Sequence, residues 1–163
     1  MIRVGLTELP FGLAGTVYRS PLPFSPLFDP QGRLLAAYEA ADVGTIVSLN
    51  TIEELQRLTG RDLLACYREW GYAVIHAPVP DFQAPQPEVL QIALTRTLAA
   101  ARAGQTVVMH CHAGIGRTGI LAACLAKVLF GLSGEESVAW VRQFIPEAVE
   151  NAAQYQFVLD YEK

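Results

Sequence analysis

Between Val89 and Gly134 the chain has no acidic residue; its only formal charges there are Arg96, Arg102, Arg117 and Lys127. All sixteen acids lie outside that window, so a net charge of −4 conceals a positive segment. Such a segment favours an anionic ligand locally, while the acidic total speaks against a nucleic-acid partner. Cysteine is scarce: Cys66, Cys111 and Cys124 are the full set. An odd number at irregular spacing excludes a disulfide framework and fits reduced thiols. No stretch is long and apolar enough to span a bilayer, and "MIRVGLTELPFG" lacks the apolar centre of a secretion signal. We therefore expect a cytoplasmic protein with no membrane partner. Repeats and low-complexity tracts are absent too. With 163 residues, 52% of them hydrophobic, the chain is expected to form one domain over 1–163 with a substantial core.

Period and punctuation place the elements. "GTVYRS" (15–20), "TIVSLN" (45–50), "AVIHAPV" (73–79) and "TVVMHC" (106–111) read as strands, the second and fourth as buried ones. "GRLLAAYEAAD" (32–42), "RDLLACYREWG" (61–71) and "PEVLQIALTRTLAAARAG" (87–104) read as helices, the last with proline in its first turn and glycine at its end. "RTGILAACLAKVLFG" (117–131) is apolar almost all round and predicts a central buried helix. "SGEE" (133–136) fits a capping box opening a helix that Pro146 follows, and Asn151 with Gln154 caps a last one to about Tyr161. "SPLPFSPLFDP" (20–30) and "DFQAPQP" (81–87) are loops, and "IEE" (52–54) reads as a solvated turn. Strands alternating with helices predict an α/β domain: a mainly parallel central sheet of four to five strands, covered by helices on both faces.

In such sheets ligands bind at the carboxyl ends of the strands. There, after "TVVMHC", stands "HCHAGIGRTG" (110–119). Gly114, Gly116 and Gly119 let the backbone turn sharply toward a ligand. The amides of His112, Ala113, Gly114, Ile115 and Gly116 can form an anion nest in front of a helix N-terminus, and Arg117 adds a planar fork suited to two oxygens of a phosphate. Cys111 sits at the base of this cup. Helix N-termini and cations lower a thiol's pKa from about 8.5 to roughly 3.5–7.5, so the features that bind phosphate also ionise the nucleophile. Thr118 can donate its hydroxyl to the thiolate. His110 points to the other side of its strand and braces the loop. A purely structural Cys111 is the bland alternative. Chelation of one metal ion by His110, Cys111 and His112 is excluded by their alternation along the strand.

Cys111, five residues, then Arg117-Thr118 resembles the signature of the cysteine-based protein phosphatases. Asp81 in "VPDF", thirty residues upstream, matches the acid those enzymes carry on a separate loop, although aspartate is also a common loop cap. "YRSPLP", "TIVSLN", "GYAVIHAPVPDFQAP", "HCHAGIGRTG" and "IPEAVENAAQYQFV" follow in the order seen in the small atypical dual-specificity phosphatases. The resemblance implies a phosphatase-like α/β fold and hydrolysis of a phosphomonoester. It makes Cys111 the nucleophile, holds phosphate on Arg117 and the loop amides, makes Asp81 general acid then base, and needs no cofactor or metal. Substrates implied are phosphorylated protein side chains or, alternatively, a small phosphate such as an inositol phosphate, a nucleotide or an RNA 5′ end. A non-catalytic phosphate-binding module is the third reading. The tyrosine-specific enzymes have tryptophan where Val79 stands, which favours a shallower site here. Phosphoinositide phosphatases tend to carry lysines in the loop, and this loop has none. Ile145 replaces the arginine that usually precedes Pro146. Cys66 and Cys124 read as packing residues, or as partners of a protective disulfide with Cys111. Gln154 reads as an exposed helix cap or as a water-positioning group, and Arg19 as half of a structural ion pair.

Overall fold

A computed structural model describes residues 5–162. Its centre is β5 (Val107–His110), fully buried along its length. A strand without an exposed face reads as a continuous apolar run, and each Val or Met side chain so buried contributes about 1.5–3 kcal/mol. Parallel partners lie on both sides of it: β2 (Val17–Ser20), with Arg19 opposite Met109 and Ser20 opposite His110, and β3 (Thr45–Ser48), with Ser48 opposite His110. Beyond β3 lies β4 (Ala73–His76), also parallel, and beyond β2 lies the antiparallel edge strand β1 (Thr7–Leu9). The order is β1-β2-β5-β3-β4. The short β1 was not foreseen, because three residues carry no readable alternation.

Two hydrophobic cores sandwich the sheet. On one face α1 (Leu34–Ala40), α2 (Ile52–Thr59) and α3 (Leu63–Glu69) bury Tyr38, Leu55, Leu63 and Tyr67 against Ile46 and Val108. On the other, α4 (Pro87–Arg102), α5 (Gly116–Phe130), α6 (Gly134–Arg142) and α7 (Ala152–Asp160) pack on Val47, Val107 and Met109. The period of two along β5 thus sends Val108 one way and its neighbours the other. The apolar helix α5 is the buried axle of the second layer: residues 116–126 are all buried. Ser133 and Glu136 complete a reciprocal capping box on α6, and Asn151 accepts from the Gln154 amide at the start of α7. Among the described residues no single helix is long and apolar enough to cross a membrane.

Helix α2 corrects the sequence reading of 52–54 as a solvated turn. Thr51 caps it, accepting from the Glu54 amide at 3.2 Å, and Glu53 and Glu54 suit its positive N-terminal end.

Candidate active site

The carboxyl ends of β5, β2 and β3 meet at the turn from Cys111 into α5. Three consecutive carbonyls of that turn are drawn toward β2 and the residues just after it. The Leu22 amide donates to His112 O (2.8 Å), Arg19 Nη2 to Ala113 O (3.3 Å) and Arg19 Nε to Gly114 O (3.1 Å). Gly114 has φ +76°, and a Cβ there would collide with the Ser20 carbonyl, so only glycine lets the turn lie this close to β2. Among the described residues no backbone carbonyl accepts from the amides of 113–118. Those amides belong to the turn that follows Cys111, which is buried.

Arg117 lies in the first turn of α5, and its side chain is 1% exposed. Nη1 donates to Glu54 Oε1 (2.7 Å) and to the Val79 carbonyl (2.8 Å), and Nη2 donates to Glu54 Oε2 (2.8 Å). Asp81 Oδ1 stands 3.0 Å from Nη2. Arg117 Nε, fully buried, has no hydrogen-bond partner among the described residues, and neither has the buried Thr118 hydroxyl. Burial opposes the charge of both partners in the buried pair. Even so, the bonds and charge of Glu54 push Arg117 above its ordinary value, and Arg117, with the Asn50 amide, holds the Glu54 carboxyl below its own. Glu54, the residue placed in a solvated turn, is therefore the anchor of the guanidinium. The signal was there in "TIEE", a capping pattern directly after a strand.

His110 turns to the opposite face. Its Nε2 meets the Tyr67 hydroxyl at 2.9 Å and its Nδ1 the Cys111 carbonyl at 3.3 Å; burial pushes the imidazole down to about 4. The His112 ring leaves the cup, meeting Ser25 Oγ through Nε2 (3.2 Å) and Phe28 edge-on. Glu54, Asp81 and His112 offer ligand atoms within 4.8 Å of one another, but both Glu54 oxygens and one from Asp81 already face a cation, the Arg117 guanidinium.

Asp81 is partly exposed, on a loop held by the start of α7. Asn151 Nδ2 donates to Phe82 O (2.8 Å) and Gln154 Nε2 to Gln83 O (3.3 Å), while Gln154 Oε1 accepts from the Glu150 amide (3.0 Å). Gln154 is fully buried, not an exposed cap, because the acid loop covers it. Arg19 is also corrected. It meets carbonyls rather than a carboxylate, since its strand register delivers it behind the loop. Ile145, which stands where the resembling family usually has arginine, is buried, and Arg142 donates to the Ala148 and Val149 carbonyls. Glu150, not singled out in the sequence, comes close enough to Gly116 that a Cβ there would strike its Oε1; burial, then the Asp81 charge, raises its carboxyl. The three cysteines are free thiols, and burial pushes Cys124 up to about 12.

A family model described as a DSP-PTPase phosphatase of polymorphic toxin systems matches residues 30–130. The crystal structure of Tk-PTP in its active form is 31% identical, with a TM-score of 0.73 over 89% of both chains. Kinase associated phosphatase, solved with its catalytic-site cysteine replaced by serine, superposes with a TM-score of 0.86 over 97% of this chain and 93% of that one, at 18% identity. Cyclin-dependent kinase inhibitor 3 of Rattus norvegicus is 24% identical over 110 residues, 66% of this chain and 52% of that protein. The chain spans about half the length, or less, of the first curated relatives it matches.

Proposed function

The chain belongs to the cysteine-based DSP-PTPase phosphatases, and on that premise we propose that it hydrolyses phosphomonoesters on protein side chains through a phosphocysteine. The observation that carries this reading is Arg117: a guanidinium locked by Glu54 and Val79, its Nε unclaimed, at the end of a run of unclaimed amides that follows Cys111. Donors fixed before the substrate arrives need no reorganisation when charge develops on the transferring phosphoryl group.

The Cys111 thiolate forms a bond to phosphorus as the phosphorus–oxygen ester bond breaks. Arg117 and the amides of residues 112–116 hold the equatorial oxygens. The Asp81 carboxyl gives its proton to the departing oxygen. Water then attacks the phosphocysteine and passes a proton to the Asp81 carboxylate, and the sulfur leaves as thiolate. The Thr118 hydroxyl, buried and unpartnered, is the donor for that leaving thiolate. The contact of Asp81 with Arg117, 3.0 Å from Nη2, supports the acid role, because it sets the carboxyl beside the guanidinium that would hold the phosphate. The absence of lysine from the loop favours a single phosphoryl group on a protein over a polyphosphate.

Turnover of an aryl phosphate in the presence of a chelator tests the reaction. Cys111→Ser is expected to abolish it and vanadate to inhibit it; full activity in the variant refutes the mechanism. Comparing kcat/KM for phosphotyrosine and phosphoserine/phosphothreonine peptides with inositol phosphates, nucleotides and RNA 5′ ends tests the substrate class. A strong preference for a small polyphosphate refutes the protein reading.

A further inference from the structure

We propose that Arg19 is a positioning residue of the phosphate loop, turning its amides into the cup and setting a second fixed positive charge behind Cys111. In a trans peptide the carbonyl of one residue and the N–H of the next point in opposite directions. Arg19 holds the Ala113 and Gly114 carbonyls, and the Leu22 amide holds His112 O. These three bonds, all from one segment, commit the amides of Ala113, Gly114 and Ile115 to the side away from β2. The loop's donors are thus aimed by what pulls on their carbonyls.

Arginine suits this role because its planar fork spans two successive carbonyls, which a single ammonium cannot do with the same geometry. Strand pairing fixes the distance: Arg19 lies opposite Met109, two residues before the cysteine. No carboxylate lies within ion-pair distance of Arg19 among the described residues. Its charge is therefore left to act on the loop. Burial lowers Arg19 from its ordinary value, and the charge of Cys111, then of Tyr38, opposes that fall. The groups facing this pair are Arg117 from α5, Glu54 from α2 and Asp81 behind it, Tyr38 from α1, and Glu147 across a small cleft that Arg19 also lines with Thr7 and Phe144. Arg19 and Arg117 are the cations of the set, one behind the cysteine's loop and one within it.

The catalytic consequence rests on the phosphatase reading above, but the effect on Cys111 does not, and the experiment separates them. The rate of Cys111 alkylation by iodoacetamide is followed against pH, with the adduct located by mass spectrometry, and vanadate affinity is measured by titration, for wild type, Arg19→Met and Arg19→Lys. In Arg19→Met we expect the alkylation midpoint to rise by about one pH unit and vanadate binding to weaken about tenfold or more. Arg19→Lys, which keeps the charge and loses the fork, restores most of the midpoint but not the vanadate affinity. Wild-type values for both quantities in Arg19→Met overturn the inference. Should Arg19→Met fail to melt cooperatively, Arg19→Lys decides: undiminished vanadate affinity overturns it. If wild type hydrolyses no phosphate ester, the phosphatase reading fails. The alkylation midpoints still decide for Arg19, since a raised value in Arg19→Met supports its role and an unchanged one refutes it.

Discussion

Glu54 grips both terminal nitrogens of Arg117, at 2.7 and 2.8 Å, across 63 residues of sequence. The pair is buried, so removing one partner strands the other's charge. Glu54→Gln is expected to destabilise the fold by about 3 kcal/mol at neutral pH and to lower kcat/KM about a hundredfold as the fork loses its aim. Urea melts and steady-state kinetics check the two arms. Because Arg117 depresses the Glu54 carboxyl, its contribution is full above the unfolded carboxylate range and is lost as pH falls through the depressed value. The gap in stability between wild type and Glu54→Gln should therefore close in strong acid.

Asp81→Asn removes the transferable proton and leaves the nucleophile and the phosphate grip in place. The expected loss in kcat is about 10²–10⁴-fold for esters with poor leaving groups. It should shrink sharply for aryl phosphates whose leaving group needs no proton. A series of substituted phenyl phosphates reads this directly: the slope of rate against leaving-group acidity should steepen in the variant.

Asn151 both caps α7 and holds the acid loop, and Asn151→Asp separates the two tasks. Its side-chain oxygens still accept from the Gln154 amide, whereas the donor to Phe82 O is lost. Thermal stability should stay within about 1 kcal/mol of wild type, while turnover of poor leaving-group substrates falls severalfold. A drop in Tm without a change in that rate would mean that the contact serves the helix alone.

His110 predicts a pH dependence of stability. Burial holds the folded imidazole at about 4, whereas an unfolded histidine takes up its proton near 6.5. Between these values the unfolded chain binds more protons, so stability falls as pH drops through that window, by up to about 3 kcal/mol. His110→Gln should flatten this part of the profile, as measured by denaturant melts from pH 4 to 7.

The thiols should react unequally. Cys124 is buried and pushed up to about 12, so native protein at neutral pH should not be alkylated there. Denaturation before labelling should expose it, and peptide mapping of the two samples gives the comparison.

The strand–loop–helix around Cys111 was legible because its signals are local: a β-branched run, closely spaced glycines and a helix apolar on every side. The family resemblance singled out Asp81 by its distance from the cysteine, and the fold brings its carboxylate to Arg117. Glu54 was misread because three residues carry no helical period, and because its burial exists only once Arg117 arrives from far along the chain. Arg19 was misread for a related reason. Arginine on a strand suggests an acid partner, and only the β2–β5 register reveals that two carbonyls await it. Gln154 is buried by a loop 71 residues upstream, which no local pattern announces.

Helix α7 is fastened at both ends. Asn151 and Gln154 hold the acid loop at one end, and at the other Lys127 of α5 donates to the Val158, Leu159 and Tyr161 carbonyls. Since Arg117 lies in the first turn of α5, the two halves of the candidate site share a mechanical strut. Force applied near Tyr161, by a bound protein, would travel along that strut to the loop that carries Asp81, so the contact network couples a surface remote from Cys111 to the candidate site.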